Sequence, residues 1–336
     1  MRNLAHIAHI VASFCGMAIV SGASFALDQE SQQAGQGSRV QFAVSVESVT
    51  LDVVVVDRRG RFVPGLSKDD FVIVDGGEVQ DVAFFTSEFT PVTTLLLLDS
   101  SSSIRSSLRA IQTAGYLFAQ NLSEGDTARI GLFSSSVRFG PRFTNDLAEH
   151  YALLGSMHPV GKTALYDAII EALEQLRVVE DRRSLLVFTD GDDSGPAEQG
   201  SQASMEDALE AAKLSEVTIY TVGFTGWGPD GSASVNQPFL NSLAEATGGR
   251  AYFPEDVEAV KTAFRDVQED LHRHYRMAYV PPVARPDDGP LTLTGPRSEA
   301  GAGANETEAN WRPLEVHVKG RDDLIVRTRQ GYYSGR

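Results

Sequence analysis

The feature that most constrains the fold of this 336-residue chain is the stretch LLLLDSSSS, residues 95–103. Four consecutive leucines offer no polar side to water, so they predict a strand that is buried on both faces, as in parallel sheets covered by helices. The leucines are followed at once by Asp99 and four serines. Ligands of open α/β sheets bind beyond the carboxyl ends of the strands. Residues 99–103 are therefore predicted to lie where such sheets form binding sites.

Strand and helix patterns alternate between residues 91 and 275. Apolar runs of strand length predict strands at 94–98, 128–133, 137–143, 184–189, 217–222 and 251–253. Apolar residues at helical spacing predict helices at 104–118, 165–176, 205–214, 239–246 and 255–275. This order predicts an α/β domain over 91–281, with a doubly wound, mostly parallel sheet and helices on both faces. The short link between 128–133 and 137–143 predicts one antiparallel edge strand.

The amino-terminal part of the chain has a different pattern. Residues 44–55 alternate apolar and polar side chains, which predicts a half-buried antiparallel strand. Residues 71–74 and 79–85 flank an Asp-Gly-Gly turn and predict a hairpin. The segment 39–90 is thus expected to form a small β unit, although about 50 residues bury too little surface for a secure core.

The carboxyl-terminal part returns to β structure. Residues 282–311 are rich in Pro, Gly, Ala, Thr and Glu without periodicity, and predict a flexible loop. Residues 312–336 then predict two strands, at 314–318 and 324–329. We expect these strands to pair with the amino-terminal β unit, so that both chain ends build one small β-sandwich-like unit beside the α/β domain.

Residues 1–26 have the pattern of a secretory signal peptide. Arg2 supplies a positive charge, residues 10–20 are mostly apolar, and small residues precede a cleavage site after Ala26. We therefore expect an exported protein, periplasmic or extracellular, with no stable membrane span after cleavage; an uncleaved anchor is the alternative. The single cysteine, Cys15, lies inside this segment. The mature chain would have no thiol, which excludes disulfides and Cys-ligated zinc.

The chain carries a formal net charge of −16 and no basic stripe. Nucleic-acid binding requires clustered Lys and Arg, so we expect no nucleic-acid partner. The acidic balance fits a cation-binding protein, and it equally fits an exported protein kept soluble by its charge.

Three segments with oxygen-bearing side chains are predicted to meet at one edge of the sheet. The first carries Asp99, Ser101 and Ser103 at alternate positions, the second carries Thr163 just before a helix, and the third carries Asp190 after the strand 184–189. Hydroxyl and carboxylate oxygens are hard ligands that suit Mg²⁺, Mn²⁺ or Ca²⁺. The three segments together predict a divalent-cation site.

These segments resemble the metal-ion-dependent adhesion site of the von Willebrand factor type A domain. The shared pattern is a D-x-S-x-S loop, a distant Thr in a G-x-T-x-L-Y-D context, and an Asp followed by Gly after a later strand. The resemblance covers about residues 91–275, and the flanking segments are similar to bacterial exported proteins that carry this domain. It implies that Ser101, Ser103 and Thr163 coordinate the cation directly. It further implies that Asp99 and Asp190 act through water, and that an acidic side chain of a protein partner takes the open position.

Further residues near this edge are candidates for contact with a partner. Lys162 stands where relatives often have a glycine, and it either projects outward or attracts an acidic partner. Asp192 either extends the acidic edge or is a solvated loop residue. Trp227 lies in a loop after a strand, and loops there often set specificity; a tryptophan packed against the sheet edge is the alternative.

Two other functions compete with a metal-dependent binding module for adhesion or envelope assembly. In the first, the cation only stabilises a structural scaffold. In the second, Asp99 is the nucleophile of a phosphatase, but Ser101 occupies the position where such enzymes have a second Asp as general acid. The sequence contains no G-x-S-x-G or H-E-x-x-H motif either. We therefore predict a protein that is not an enzyme.

Overall fold

A computed structural model describes residues 48–180, 182–189, 192–224, 235–281 and 311–334. The predicted signal peptide and almost all of the predicted loop 282–311 lie outside these residues. The strands are β1 (Val49–Val56), β2 (Phe71–Asp75), β3 (Glu78–Gln80), β4 (Phe84–Thr86), β5 (Val92–Asp99), β6 (Thr127–Phe133), β7 (Val137–Phe139), β8 (Arg182–Thr189), β9 (Thr218–Gly223), β10 (Ala251–Tyr252), β11 (Tyr275–Tyr279), β12 (Trp311–Val318), β13 (Ile325–Arg327) and β14 (Gly331–Tyr333). The α-helices are α1 (Leu108–Gln120), α2 (Leu147–Gly155), α3 (Leu165–Arg177), α4 (Met205–Ser215), α5 (Gln237–Ala246) and α6 (Val257–His272).

The central sheet has six strands in the order β10, β9, β8, β5, β6, β7. All neighbours are parallel except β7, which runs antiparallel to β6 at one edge. The predicted fold class is therefore confirmed, including the antiparallel edge strand. Because β5 and β8 lie in the middle of the sheet, their carboxyl ends lie next to each other.

The four leucines of β5 supply both faces of this sheet. Leu96 and Leu98 pack into a core with α1, α2 and α6, whereas Leu95 and Leu97 pack into a second core with α3, α4 and α5. Successive side chains of a strand point to opposite faces, so an unbroken apolar run is required when both faces are covered. All four leucines are fully buried.

The chain ends build a small sandwich beside the central sheet. One sheet has the order β13, β1, β11, β4 and the other has the order β14, β12, β2, β3. The carboxyl-terminal strands thus pair with amino-terminal ones, β13 with β1 and β12 with β2, all antiparallel. Their inward side chains form a third core around Leu51, Ile73 and Tyr275.

Three elements differ from the sequence-based expectation. The hairpin arm predicted at 79–85 is divided, because β3 pairs with β2 while β4 crosses to the other sheet and pairs with β11. This crossing lets Phe85 pack against Phe71 and Tyr275. The predicted long helix ends at His272, and the chain continues as β11. Helix α2 was not predicted; it begins after Asp146, whose side chain accepts a hydrogen bond from the Ala148 amide.

A group of charged side chains joins the sandwich to the amino-terminal end of β8. We call Asp52, Arg182, His274 and Arg276 the charged joint. Arg182 Nε lies 3.0 Å and Arg276 Nε 2.9 Å from the Asp52 carboxylate, and Arg182 also donates to the Leu271 carbonyl. The Arg182 side chain is only 2% exposed. The joint therefore connects β1 and β11 of the sandwich with β8 and the end of α6.

Electrostatics in the charged joint follow from burial and pairing. Burial alone raises the pKa of the Asp52 carboxyl, but Arg182 and Arg276 outweigh it and lower that pKa to about 2. Burial, reinforced by the positive charge of Arg182, lowers the pKa of His274 to about 3. At neutral pH the joint thus holds an ionised Asp52 between two arginines and a neutral His274.

Candidate metal centre

Asp99 is the last residue of β5 and its side chain is fully buried. One carboxylate oxygen accepts a hydrogen bond from the Ser101 amide at 2.8 Å, and the other accepts from the hydroxyl of Thr189 at 2.8 Å. Thr189 ends the neighbouring strand β8. Because neutral donors from two elements hold both oxygens, the orientation of the carboxylate is set before any cation arrives.

The two serines predicted as ligands lie together. Ser101 Oγ and Ser103 Oγ are 2.8 Å apart. Adjacent corners of a Mg²⁺ octahedron with bonds of about 2.1 Å are about 3.0 Å apart. The two hydroxyls therefore already have the spacing of neighbouring ligands, and the donor set fits a hard divalent cation.

The loop that carries Thr163 is fixed to the serine loop by backbone hydrogen bonds. The Ser102 amide donates to the Gly161 carbonyl at 3.0 Å, and the Val160 amide donates to the Ser100 carbonyl at 3.0 Å. Gly161 has a φ of +84°, and a Cβ there would lie 3.1 Å from Ser135 Oγ. Only glycine meets both conditions without strain. The two backbone hydrogen bonds position the loop that carries Thr163, which is 5% exposed.

Asp193 organises the other side of Thr163, although residue patterns predict no such role for it. Its carboxylate accepts hydrogen bonds from the Leu165 amide at 2.7 Å, the Gly195 amide at 2.7 Å and the Ser201 hydroxyl. Helix α3 has Ala164 at its N-cap, which has no side chain to cap the helix. Asp193 replaces the missing cap from 28 residues away in sequence, so no local pattern could have revealed it.

Ser194 and Asp167 complete this support. The Ser194 amide donates to the Thr163 carbonyl at 2.9 Å, and the Thr163 amide donates to Ser194 Oγ at 3.1 Å. The Asp167 carboxylate accepts from the amides of Gln202 and Ala203 at 2.9 Å each. Asp167 thus has a structural role, and both ends of the segment 193–203 are bonded to the start of α3.

These loops enclose a cleft of about 460 Å³, which we call the metal cleft. It is lined by Ser101, Ser102, Ser103, Gly161, Lys162, Thr163, Asp192 and Ser194. Three of the five predicted ligands thus line one cleft, and a fourth, Asp99, accepts a hydrogen bond from the Ser101 amide. The fifth, Asp190, lies outside the described residues, as does Trp227.

Lys162 and Asp192, two predicted partner contacts, lie on exposed parts of the metal cleft. Lys162 Nζ forms an ion pair with Glu198 at 2.8 Å, and both side chains are more than half exposed. Partial burial raises the pKa of Asp192, and the neighbouring Asp193 adds to this shift. In the described part of the chain, no group of three or more His, Cys, Asp or Glu side chains could hold a metal ion.

No helix within the described ranges combines the length and apolarity needed to cross a membrane.

The chain is similar to several known proteins. The chain is 24% identical over 199 residues to a UPF0353 protein of Mycolicibacterium paratuberculosis, a match that covers 53% of this chain and 59% of that protein. The chain thus spans about three fifths of the length of this curated relative. Among solved structures, a von Willebrand factor type A protein from Catenulispora acidiphila matches with 17% identity and a TM-score of 0.46, covering 67% of this chain and 51% of that one. BatB, a conserved hypothetical protein from Bacteroides thetaiotaomicron, matches with 18% identity and a TM-score of 0.43, covering 53% of this chain and 98% of that one.

The model of the von Willebrand factor type A domain matches residues 95–266, slightly more than half of the chain. These residues run from the leucines of β5 through most of α6 and include all three segments of the candidate site. The chain belongs to the von Willebrand factor type A domain family.

Proposed function

We propose that this chain is an exported module that binds a protein partner through a divalent cation in the metal cleft. The cation would be held by Ser101, Ser103 and Thr163, with Asp99 and Asp190 acting through water. The observation that carries the proposal is the pair of serine hydroxyls 2.8 Å apart in a cleft that Thr163 also lines, with the buried Asp99 bonded to the Ser101 amide. Domains of this family generally bind partners rather than catalyse reactions, and the proposal is non-enzymatic.

The chemistry of the cleft favours an acidic partner. A cation bound by neutral hydroxyls keeps most of its positive charge, so it attracts a carboxylate strongly. This is the only chemistry that the cation, Mg²⁺ with Mn²⁺ or Ca²⁺ as substitutes, needs to supply. The chain's own loops do the rest, because the hydrogen bonds among residues 99–103, 160–163 and 193–194 hold the oxygens in place without the ligand. Such preorganisation lowers the entropic cost of binding.

Residues at the mouth of the cleft would set which partner binds. Lys162 is exposed and would attract a second acidic group of the partner by exchanging its ion pair with Glu198. Asp192, which lines the cleft, and Trp227 are further proposed contacts. The proposal places the protein in the periplasm or outside the cell, with residues 1–26 as the signal peptide.

Calorimetric titration of Mg²⁺ and Mn²⁺ into the metal-free protein tests the site. We expect saturable binding by the parent that is lost in Asp99→Ala and Thr163→Val. Ser102→Ala is the matched control, because Ser102 lines the same cleft but alternates with the proposed ligands; it should bind as the parent does. The proposal would be overturned if the parent showed no saturable binding, or if Asp99→Ala bound the cation as well as the parent does.

The scaffold alternative is separated by comparing stability with partner capture. If the cation only stabilises the fold, Mg²⁺ raises the melting temperature but leaves capture of envelope proteins unchanged between Mg²⁺ and EDTA. If the cleft binds a partner, one or more proteins are captured in Mg²⁺, lost in EDTA and lost with Thr163→Val. That pattern, with Ser102→Ala again behaving as the parent, is the expected one.

A further inference from the structure

A second cleft lies far along the chain from the metal-site loops, between two strands of the sandwich. We call it the β12/β13 groove; its volume is about 1120 Å³, and residues 314–318 of β12 and 324–328 around β13 form its walls. The two strands follow each other in the chain but do not pair. Each belongs to a different sheet of the sandwich.

Both strands present an open edge along this groove. Strand β14 pairs with residues 311–313 of β12, and the Leu314 amide donates to the Gln330 carbonyl. Among the described residues, no strand pairs with this side of β12 after residue 314. Strand β13 is terminal in its sheet, with β1 on one side only. Its open edge ends before Arg329, which bridges to Thr247, and the Gln330 amide donates to the Ala246 carbonyl. An open edge offers unpaired amide and carbonyl groups to another extended chain.

The register shows which groups of β13 face outward. Val54, Val55 and Val56 of β1 lie opposite Arg327, Val326 and Ile325. The Val55 carbonyl accepts from the Val63 amide, so the polar backbone groups of Val55 point away from β13. In an antiparallel pair, hydrogen-bonded and non-hydrogen-bonded positions alternate. Ile325 and Arg327 therefore bond to β1, and the amide and carbonyl of Val326 point to the open edge.

The charges around the groove indicate the chemistry of an occupant. Arg58, Arg59 and Arg250 line the groove and are exposed, and none has a carboxylate within 4 Å among the described residues. Two more arginines of the lining are paired, Arg321 with Asp323 and Arg327 with Asp270. The acidic side chains of the lining are Glu245, Glu315 and Asp322. The Arg250 guanidinium lies 4.9 Å from the centroid of the Tyr252 ring, whereas Arg58 and Arg59 form no ion pair among the described residues. Such a concentration of arginines at one groove is unusual in a chain with a net charge of −16.

We propose that an extended, acidic segment of a partner protein binds in the β12/β13 groove and adds as a strand to the edge of β13. Its backbone would bond to the amide and carbonyl of Val326, and its carboxylates would pair with Arg58, Arg59 and Arg250. Strand addition supplies affinity through main-chain bonds and specificity through side chains on alternate positions. This site is independent of the metal cleft and needs no cation.

Fluorescence anisotropy with two labelled peptides tests the charge requirement on the intact protein. One eight-residue peptide alternates glutamate and valine, and the other alternates lysine and valine. We expect the acidic peptide to bind and the basic one not to. The triple variant Arg58→Ser, Arg59→Ser, Arg250→Ser should bind the acidic peptide at least about tenfold more weakly, because close charge pairs across an interface contribute strongly.

A matched variant controls for net charge. Arg109→Ser, Arg177→Ser, Arg265→Ser removes the same three charges from exposed positions outside the groove and should bind as the parent does. Equal binding of both peptides, or equal weakening by both triple variants, would overturn the proposal.

Hydrogen exchange at the Val326 amide tests the strand addition directly. The amide should exchange rapidly in the free protein and slowly with the acidic peptide bound. Val326→Pro removes this outward amide while the β1 ladder stays intact, which edge strands tolerate; it should lose peptide binding. Slow exchange in the free protein would mean that another segment of this chain, or a second copy if protection rises with concentration, already covers the edge, and would overturn the proposal.

Discussion

Asp99 and Asp52 are two buried or nearly buried aspartates whose surroundings differ in kind. Asp99, at the carboxyl end of β5, is held by an amide and a hydroxyl, both neutral. Asp52, in the charged joint at the other end of the central sheet, is held by two guanidinium groups. The two donors described at Asp99 carry no charge that would offset the carboxylate, whereas the two arginines of the joint neutralise Asp52.

The difference distinguishes a proposed binding site from a structural connection. In the metal cleft, hydrogen bonds orient oxygen atoms near an opening. In the charged joint, ionic groups from different sheets pair with one another. Buried ion pairs offset their own desolvation at best, but removal of one member leaves an uncompensated charge. Substitutions in the charged joint and in the metal cleft should therefore have different effects on stability and on Mg²⁺ affinity.

The largest effect is expected for Arg182→Ala. This change leaves Asp52 short of one partner and removes the donor to the Leu271 carbonyl, so the free energy of unfolding should fall by about 3–5 kcal/mol. Urea denaturation measures it. Arg177→Ala is the control, since its ion pair with Glu174 is exposed and should change stability by less than about 0.5 kcal/mol. A similar small loss in both variants would show that the joint does not connect the two parts.

The second prediction concerns acid. Since the pKa of His274 is lowered to about 3 in the folded protein, the unfolded chain binds one more proton between about pH 6.5 and 3. Stability present above pH 6.5 is therefore lost as the pH falls, by about 1.4 kcal/mol for each pH unit. The lowered pKa of Asp52, about 2, adds a further loss below about pH 4.

His274→Gln isolates the first part of this loss. The variant cannot take up the proton, so its unfolding free energy should stay nearly level between pH 6.5 and 4.5 and fall only below about pH 4. Urea titrations at several pH values give the two slopes. An unchanged slope in the variant would mean that His274 is not the titrating group.

Thr189→Val tests the neutral end. Loss of the hydroxyl bonded to Asp99 should cost about 1–3 kcal/mol of stability and, on the proposed function, weaken Mg²⁺ affinity about tenfold or more, as with other groups that orient metal ligands. Thr94→Val is matched, since it removes a hydroxyl bonded to Ser184 at 2.7 Å on the same sheet away from the cleft. Thr94→Val should lower the free energy of unfolding without changing the Mg²⁺ affinity. Equal Mg²⁺ affinity in both variants would contradict the orienting role of Thr189.

The smallest effect is expected for Lys162→Met. Its ion pair with Glu198 is exposed on both sides, so the urea midpoint should not move measurably. Removal of a positive charge from the cleft should make Mg²⁺ binding slightly tighter than in Lys261→Met, which breaks a similar exposed pair on α6. Weaker Mg²⁺ binding in Lys162→Met would show that the lysine supports the cleft rather than only facing a partner.

Local sequence was sufficient to predict an element whose residue pattern lies entirely within that element. The strand at Leu95–Leu98, the helices with regular apolar spacing and the order of the three site segments were all predictable, because periodicity and turn residues act within a few positions. Helix α2 was missed because only His150 and Leu154 of its nine residues are buried. The division of the hairpin at β3 and β4 was missed because the crossing depends on Phe85 packing against Tyr275.

Residue patterns alone were sufficient to predict the family, the doubly wound sheet and an edge where Asp99, Ser101, Ser103 and Thr163 come together. The contacts that support these elements depend on tertiary packing: Thr189 with Asp99, Asp193 with the start of α3, and the charged joint between β8 and the sandwich. Each of these contacts joins residues 28 or more positions apart. Hydrogen bonds and ion pairs act over about 3 Å in space, so their partners are chosen by the packing of the sheets and helices rather than by any pattern along the chain.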